Sequence, residues 1–244
     1  MSPAVAGDPC CPSHPCLGWG SNYALERKGR PERRKPVNDP RLEIVQVVEE
    51  LYRLGLITAT GGNVSVRIEE QDVCWITPRG LYKGGLCPEG IVRIDLEGNV
   101  LDLEGPAPSS EWAMHTQIYR ARPDVNAVIH AHAPYATILG LSGLPFLPVT
   151  AEAALLGRVP VVPFHMPGTM ELARAVVRAL GQATACILNH HGVVAVAAGL
   201  RQAANAVEIL ERSAQLILGC YAAGKQPAIL PEEALRALRE RGLA

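Results

Sequence analysis

Residues 125–132 read Val-Asn-Ala-Val-Ile-His-Ala-His, an apolar run that closes on two histidines one residue apart. In a strand, residues two apart point to one face, so His130 and His132 project together while Ala131 faces the other way. Ala127, Val128 and Ile129 are apolar on both faces, which predicts a buried strand ending in a polar site. Two readings are open at this point. The pair ligates a metal, or it is packed and its ring nitrogens find other partners.

The neighbouring segments favour the metal. Downstream, Ala185–Leu188 and Val193–Val196 read as short buried strands flanking Asn189-His190-His191-Gly192, a tight turn that holds an imidazole at a sheet edge. Upstream, Pro108-Ser109-Ser110-Glu111 opens a helix running to about Arg120, with Ser109 or Ser110 as its N-cap. Glu111 then sits where backbone donors and the helix dipole favour a carboxylate. His130, His132, His191 and Glu111 form a donor set that suits zinc, and also manganese, cobalt or iron, better than magnesium or calcium. A carboxylate able to leave the metal would open a coordination position and serve as a general base.

Further out, the apolar spacing of Leu42, Val45, Val48, Leu51 and Leu54 predicts a helix stopped by Gly55. Thr60–Arg67 is a Gly-rich turn leading into an alternating strand, and 73–77, 91–96 and 100–103 read as further strands. Helices are expected at 135–141, 171–180, 201–221 and 231–241, with a proline-broken stretch over 145–167. Strands mixed with helices, without clean alternation, suggest a three-layer α/β arrangement.

Residues 1–36 differ from the rest. They are rich in Pro and Gly, carry a basic run (Arg27, Lys28, Arg30, Arg33, Arg34, Lys35) and lack aliphatic periodicity, so a flexible tail is expected before a single domain at 37–244. Cys10, Cys11, His14 and Cys16 lie close together there, at a spacing that matches no standard zinc knuckle. The 244-residue chain is 48% hydrophobic and 19% charged, a globular composition. A net charge of −1 leaves no electrostatic footprint for nucleic acid or an anionic membrane. Seven scattered cysteines, with Cys74, Cys87, Cys186 and Cys220 read as buried reduced thiols, and no secretory signal predict a cytoplasmic setting.

Taken together, TGGNVSVR at 60–67, ITPRGL at 76–81, SSEW…HAHAPYA at 109–136 and NHHG at 189–192 resemble the class II aldolase/adducin superfamily over roughly 40–224. The resemblance implies an α/β/α fold on a mostly antiparallel sheet, and a four-fold tetramer with the site near a subunit interface. It implies that Glu111 ligates the metal and shuttles the proton, that His130, His132 and His191 complete the site, and that His190 does not. It places Gly62, Asn63, Gly80, Ser109 and Ser110 in a cradle for a phosphate. Gly-rich backbone N–H groups and helix-start hydroxyls form such an anion nest on physical grounds as well.

Two positions depart from the family pattern. Arg79 stands where the sugar-phosphate enzymes usually carry a small hydroxyl residue, and a guanidinium favours planar partners such as carboxylate. Val149 stands where a tyrosine is expected to protonate the leaving group; Glu152 nearby is either its replacement or a surface carboxylate. The leading reading is therefore a metal-dependent carbon–carbon lyase that stabilises an enediolate on a small phosphorylated or carboxylated hydroxy-ketone. The alternative is a decarboxylase of a hydroxy-carboxylate on the same scaffold. A non-catalytic adducin-like interaction domain is a third, and the presence of all four ligands weighs against it.

Overall fold

The computed structural model describes residues 39–68, 71–102 and 104–240. The expected tail at 1–36, with Cys10, Cys11, His14 and Cys16, lies outside the described residues. Helix α1 (Pro40–Arg53) starts on Asp39, whose carboxylate accepts the Arg41 N–H at 3.0 Å, and it buries Ile44, Val47, Val48 and Leu51. There follow β1 (Asn63–Ile68), β2 (Val73–Ile76), two 3-10 turns (Lys83–Gly85 and Pro88–Gly90), β3 (Val92–Asp95), α2 (Trp112–Ala121) and β4 (Ala127–Ala131). The second half runs α3 (Pro134–Leu141), α4 (Ala151–Leu156), β5 (Val161–Val162), α5 (Met170–Leu180), β6 (Ala185–Leu188), β7 (Gly192–Ala197), α6 (Leu200–Ala222) and α7 (Glu232–Glu240).

The seven strands form one sheet in the order β3-β2-β1-β4-β7-β6-β5, antiparallel throughout except for the β5–β6 pair. Strand alternation divides the apolar side chains into two cores. Ala127, Ile129, Ala131, Val193 and Ala195 pack under α1, α3 and α6; Val128, Val194 and Val196 pack under α2 and α5. The result is the expected α/β/α sandwich on a mostly antiparallel sheet. Among the described residues, no helix is long and apolar enough to cross a membrane.

The local expectations need four corrections. In segment 100–103 the described residues 100–102 form no strand: Val100 makes a single bridge to Ile94, and Val100 and Leu101 are exposed, so no core rewards further pairing. The proline-broken stretch 145–167 holds two short elements that were not expected. Thr150 Oγ1 accepts the Ala153 N–H at 3.1 Å and caps α4, while Val161 and Val162 form a two-residue edge strand before Pro163, where a missing N–H is tolerated. Helix α2 begins at Trp112 with Glu111 at the cap position, not on a serine. The Ser109 N–H donates to Thr77 O and Pro108 bridges Pro78, so both residues continue the β2 side in extended form. Lastly, of the four cysteines among the described residues only Cys74 and Cys186 are buried, both pushed by burial to a pKa of about 12; Cys87 is exposed and Cys220 half-buried.

Candidate metal centre

The sheet register assembles the site. His130 pairs with Asn63 on β1 and with Val194 on β7, and these side chains share the α2 face. His132 follows just beyond β4, its N–H donating to Leu56 O at 2.7 Å. His191 arrives from the β6–β7 turn, where its N–H donates to Leu188 O at 3.0 Å and His190 adopts a positive φ of 62°. Gly192 is needed there, because a Cβ would lie 2.2 Å from Ala131 O. One ring nitrogen from each of His130, His132 and His191 falls within 4.8 Å of the others. Glu111, at the start of α2, brings Oε2 to 3.2 Å from His130 Nε2 and Oε1 to 3.6 Å from His191 Nε2.

The hydrogen bonds show what this cluster needs. His130 Nδ1 lies 3.0 Å from Val193 O, which can only accept, so Nδ1 carries the proton. Burial, then the neighbouring His191 and His132, hold His130 well below the usual histidine range, so the ring is neutral and Nε2 presents a lone pair. That lone pair faces His132 Nε2 at 3.1 Å and Glu111 Oε2, a second acceptor, at 3.2 Å. Glu111 Oε1 and His191 Nδ1 are buried without any hydrogen-bond partner. Buried acceptors turned on one another are unfavourable unless a cation lies among them. Three imidazoles and a carboxylate in this arrangement fit a divalent metal ion.

Behind Glu111 runs a buried polar ladder. Glu111, His115 and Tyr119 recur every four residues on α2, and Asn63, Ser65 and Arg67 every two on β1. Asn63 Nδ2 donates to Glu111 Oε2 at 2.9 Å, leaving Oδ1 to accept from His115 Nε2 at 2.5 Å. His115 is neutral, its pKa pushed by burial down to about 3, so Nδ1 must accept from Ser65 Oγ at 2.7 Å. Ser65 Oγ in turn accepts from the Tyr119 hydroxyl at 2.6 Å. Every proton in this chain therefore points toward the Glu111 carboxylate. The Arg67 guanidinium ends the ladder 5.8 Å from the Tyr119 ring centre.

A cavity of about 160 Å³ opens over the cluster, lined by Thr60 to Asn63, Pro78 to Gly80, Lys83, Ser109 to Glu111, His132, Pro167 and His191. The structure thus brings the expected Gly62, Asn63, Arg79, Gly80, Ser109 and Ser110 to one space beside Glu111, His132 and His191. His130 is fully buried behind them. Gly62 takes a φ of +81°, and a Cβ on it would lie 2.5 Å from Ile57 Cγ2, so only glycine forms this wall.

Several expectations about neighbouring residues change. Lys83, a residue type that in a loop ordinarily sits at a solvated rim, is 2% exposed. His115 is a rung of the ladder, and Ser65 and Tyr119 join it there, outside the set expected from the sequence. A four-residue polar spacing opposite a two-residue one was the available signal. Tyr135 lines a separate cavity with Glu211 and Arg212. His190 is exposed and stacks edge-on near Phe164 at 6.2 Å; His165 is half-buried, and neither lines the site cavity. Val149 packs against the α1/α6 core, and Glu152 is exposed in the first turn of α4.

Comparison with known proteins agrees with this geometry. The family model described as Class II Aldolase and Adducin N-terminal domain matches residues 42–218. The chain is 38% identical over 204 residues to L-fuculose phosphate aldolase of Escherichia coli O6:H1, covering 82% of this chain and 92% of that protein. It is 33% identical over 185 residues to 3-oxo-tetronate 4-phosphate decarboxylase of Pectobacterium atrosepticum, covering 72% and 83%. The solved structure of an L-fuculose 1-phosphate aldolase superposes with a TM-score of 0.78 at 34% identity, over 85% of this chain and 97% of that one. Fold, motif order and the matched span agree: this chain is a member of the class II aldolase and adducin family.

Proposed function

We propose that this lyase cleaves a carbon–carbon bond in a small ketose phosphate, with Glu111 moving the proton. The observation that carries the reading is the convergence of three histidine nitrogens and the Glu111 carboxylate on the floor of a cavity walled by Gly62, Asn63, Ser109 and Ser110. A divalent metal held by His130, His132, His191 and Glu111, zinc first among the candidates and manganese, cobalt or iron behind it, supplies Lewis acidity toward a hydroxyl and its adjacent carbonyl. Asn63 fixes Glu111 Oε2, so Oε1, which has no hydrogen-bond partner, is the atom that takes and returns the proton. The backbone at Gly62 and Gly80 and the hydroxyls of Ser109 and Ser110 hold the phosphate oxygens.

A second reading, decarboxylation, is favoured by one observation. Arg79 is exposed and lines the cavity, and no carboxylate pairs with it among the described residues. Its guanidinium suits a substrate carboxylate. A screen that reads both aldehyde and carbon dioxide release decides between them, using L-fuculose 1-phosphate, 5-deoxyribulose 1-phosphate and 3-oxo-tetronate 4-phosphate. Aldehyde from a ketose 1-phosphate is expected; carbon dioxide with no aldehyde from any ketose phosphate makes the chain a decarboxylase. The same proposal includes a homotetramer with the site near a subunit interface. It is supported by exposed Leu81, Tyr82, Phe164 and Met166, which flank the cavity residues in sequence. It also includes a cytoplasmic setting, supported by free Cys74, Cys87, Cys186 and Cys220.

A further inference from the structure

Lys83 is the one lysine or arginine among the buried polar and charged residues described. Its backbone N–H donates to Ala59 O at 2.8 Å, which ties the 3-10 turn at 83–85 to the segment entering β1. Its Nζ donates to Pro78 O at 3.1 Å. An ammonium has three protons, and among the described residues Nζ has no second acceptor and no carboxylate partner. The acid that shares its cavity, Glu111, is committed to Asn63 and the histidines.

A buried cation without a counter-charge is costly, and proteins tolerate it where a ligand completes the pair. Burial alone lowers the Lys83 pKa to about 8, so the group is still mostly charged at neutral pH and responsive to an anion placed beside it. Arg79, on the same loop, is exposed and its charge is already solvated. The cavity lining also offers neutral anion donors: backbone near Gly62 and the Ser109 and Ser110 hydroxyls.

We infer that the Lys83 ammonium is the charged ligand for the substrate's oxyanion, whether phosphate or carboxylate, in this cavity. The inference rests on reading this cavity as the anion end of the substrate site. A lysine that only braces Pro78 would behave differently from one that binds. Replacing an unpaired buried cation by an apolar side chain of similar length is neutral or stabilising for the ligand-free fold, while anion affinity is lost.

The test is calorimetric titration of the zinc-loaded full chain with inorganic phosphate and, separately, with acetate. Any direct contact of the probes with zinc is common to wild type and variant and cancels in the comparison. Lys83→Met is expected to bind one probe at least about tenfold more weakly, in line with the loss of a charge-assisted hydrogen bond. It should keep its zinc content and melt no lower than wild type, and the weakened probe names the substrate group. Unchanged affinity for both probes, with a lowered melting temperature, overturns the inference and leaves Lys83 as a brace. Should Lys83→Met fail to fold, Lys83→Gln, which can still donate to Pro78 O, is put through the same comparison. If the wild-type protein binds neither probe, the reading of the cavity itself fails, a result distinct from equal binding by wild type and variant.

Discussion

The two walls of the site cavity are built on opposite terms. On the β1–α2 wall, the polar groups behind the carboxylate are paired: Tyr119, Ser65, His115 and Asn63 pass hydrogen bonds in one direction to Glu111. On the opposite wall, the loop from Pro78 to Lys83 carries two cations with no carboxylate partner among the described residues. The first wall is complete before any substrate arrives, and its rigidity is what a proton-transfer carboxylate needs. The second is complete only with an anion in place. Damage to the first wall should therefore appear in stability and turnover, and damage to the second in affinity and substrate choice.

Four substitutions test that division, in falling order of effect. His132→Ala should lose bound metal and lower turnover by at least about 10³-fold, since several kcal/mol of charge stabilisation go with the metal. Metal content by mass spectrometry and a turnover assay check both, and full activity without bound metal would break the scheme. Glu111→Gln should retain metal more weakly and lose about 10²–10⁴-fold in turnover, the usual worth of a positioned base. A change confined to KM would show that Glu111 is not the proton carrier.

His115→Phe should cost about 1–3 kcal/mol of stability, because Asn63 Oδ1 and the Ser65 hydroxyl lose their partner in the core. Chemical denaturation measures it, with a smaller drop in turnover expected alongside. The same residue gives a pH signature with a defined sign. Its folded pKa of about 3 lies below the ordinary histidine value of 6.5, so the unfolded chain binds more protons between these values. Stability from this group is full above pH 6.5 and is lost as pH falls toward 3, and His115→Phe should flatten that part of the curve. Arg79→Ser, on the open wall, should leave stability within about 0.5 kcal/mol of wild type and shift preference from carboxylated toward phosphorylated substrates. A stability loss as large as that of His115→Phe would mean the two walls do not differ as described.

Much of this was legible in the residues. The alternation of Val128, His130 and His132 marked one face of a buried strand, and the four-residue repeat of α2 marked its inward stripe. These signals are periodic, and burial enforces them. Of what was missed, the Ser65 and Tyr119 rungs have a period, but a polar one that leaves no apolar signal; the rest is too short to repeat or lacks a core. The α4 helix and β5 strand are six and two residues long between prolines, too short for a pattern to repeat. Segment 100–103 alternates like a strand, but its described residues have no core to pack against and make one bridge. Ser109 and Ser110 look like caps, yet pairing of 108–109 with the end of β2 delays the helix to Trp112. Lys83 carries no sequence mark of burial, because a lysine in a loop is ordinarily solvated and only the fold closes over it.

The ladder behind Glu111 behaves as a vernier. Two strand residues advance about 6.8 Å and four helix residues about 6 Å, so the two scales slip by roughly 0.8 Å per rung. They coincide at Asn63 and Glu111, still permit hydrogen bonds at Ser65, and by Arg67 and Tyr119 allow only a cation over a ring at 5.8 Å. A helix laid along a strand can thus keep polar rungs in step for about three steps and no more. The zero of the scale sits at the carboxylate, so the misfit accumulates where it does least harm, and one residue inserted into either β1 or α2 would slide every rung off its mark.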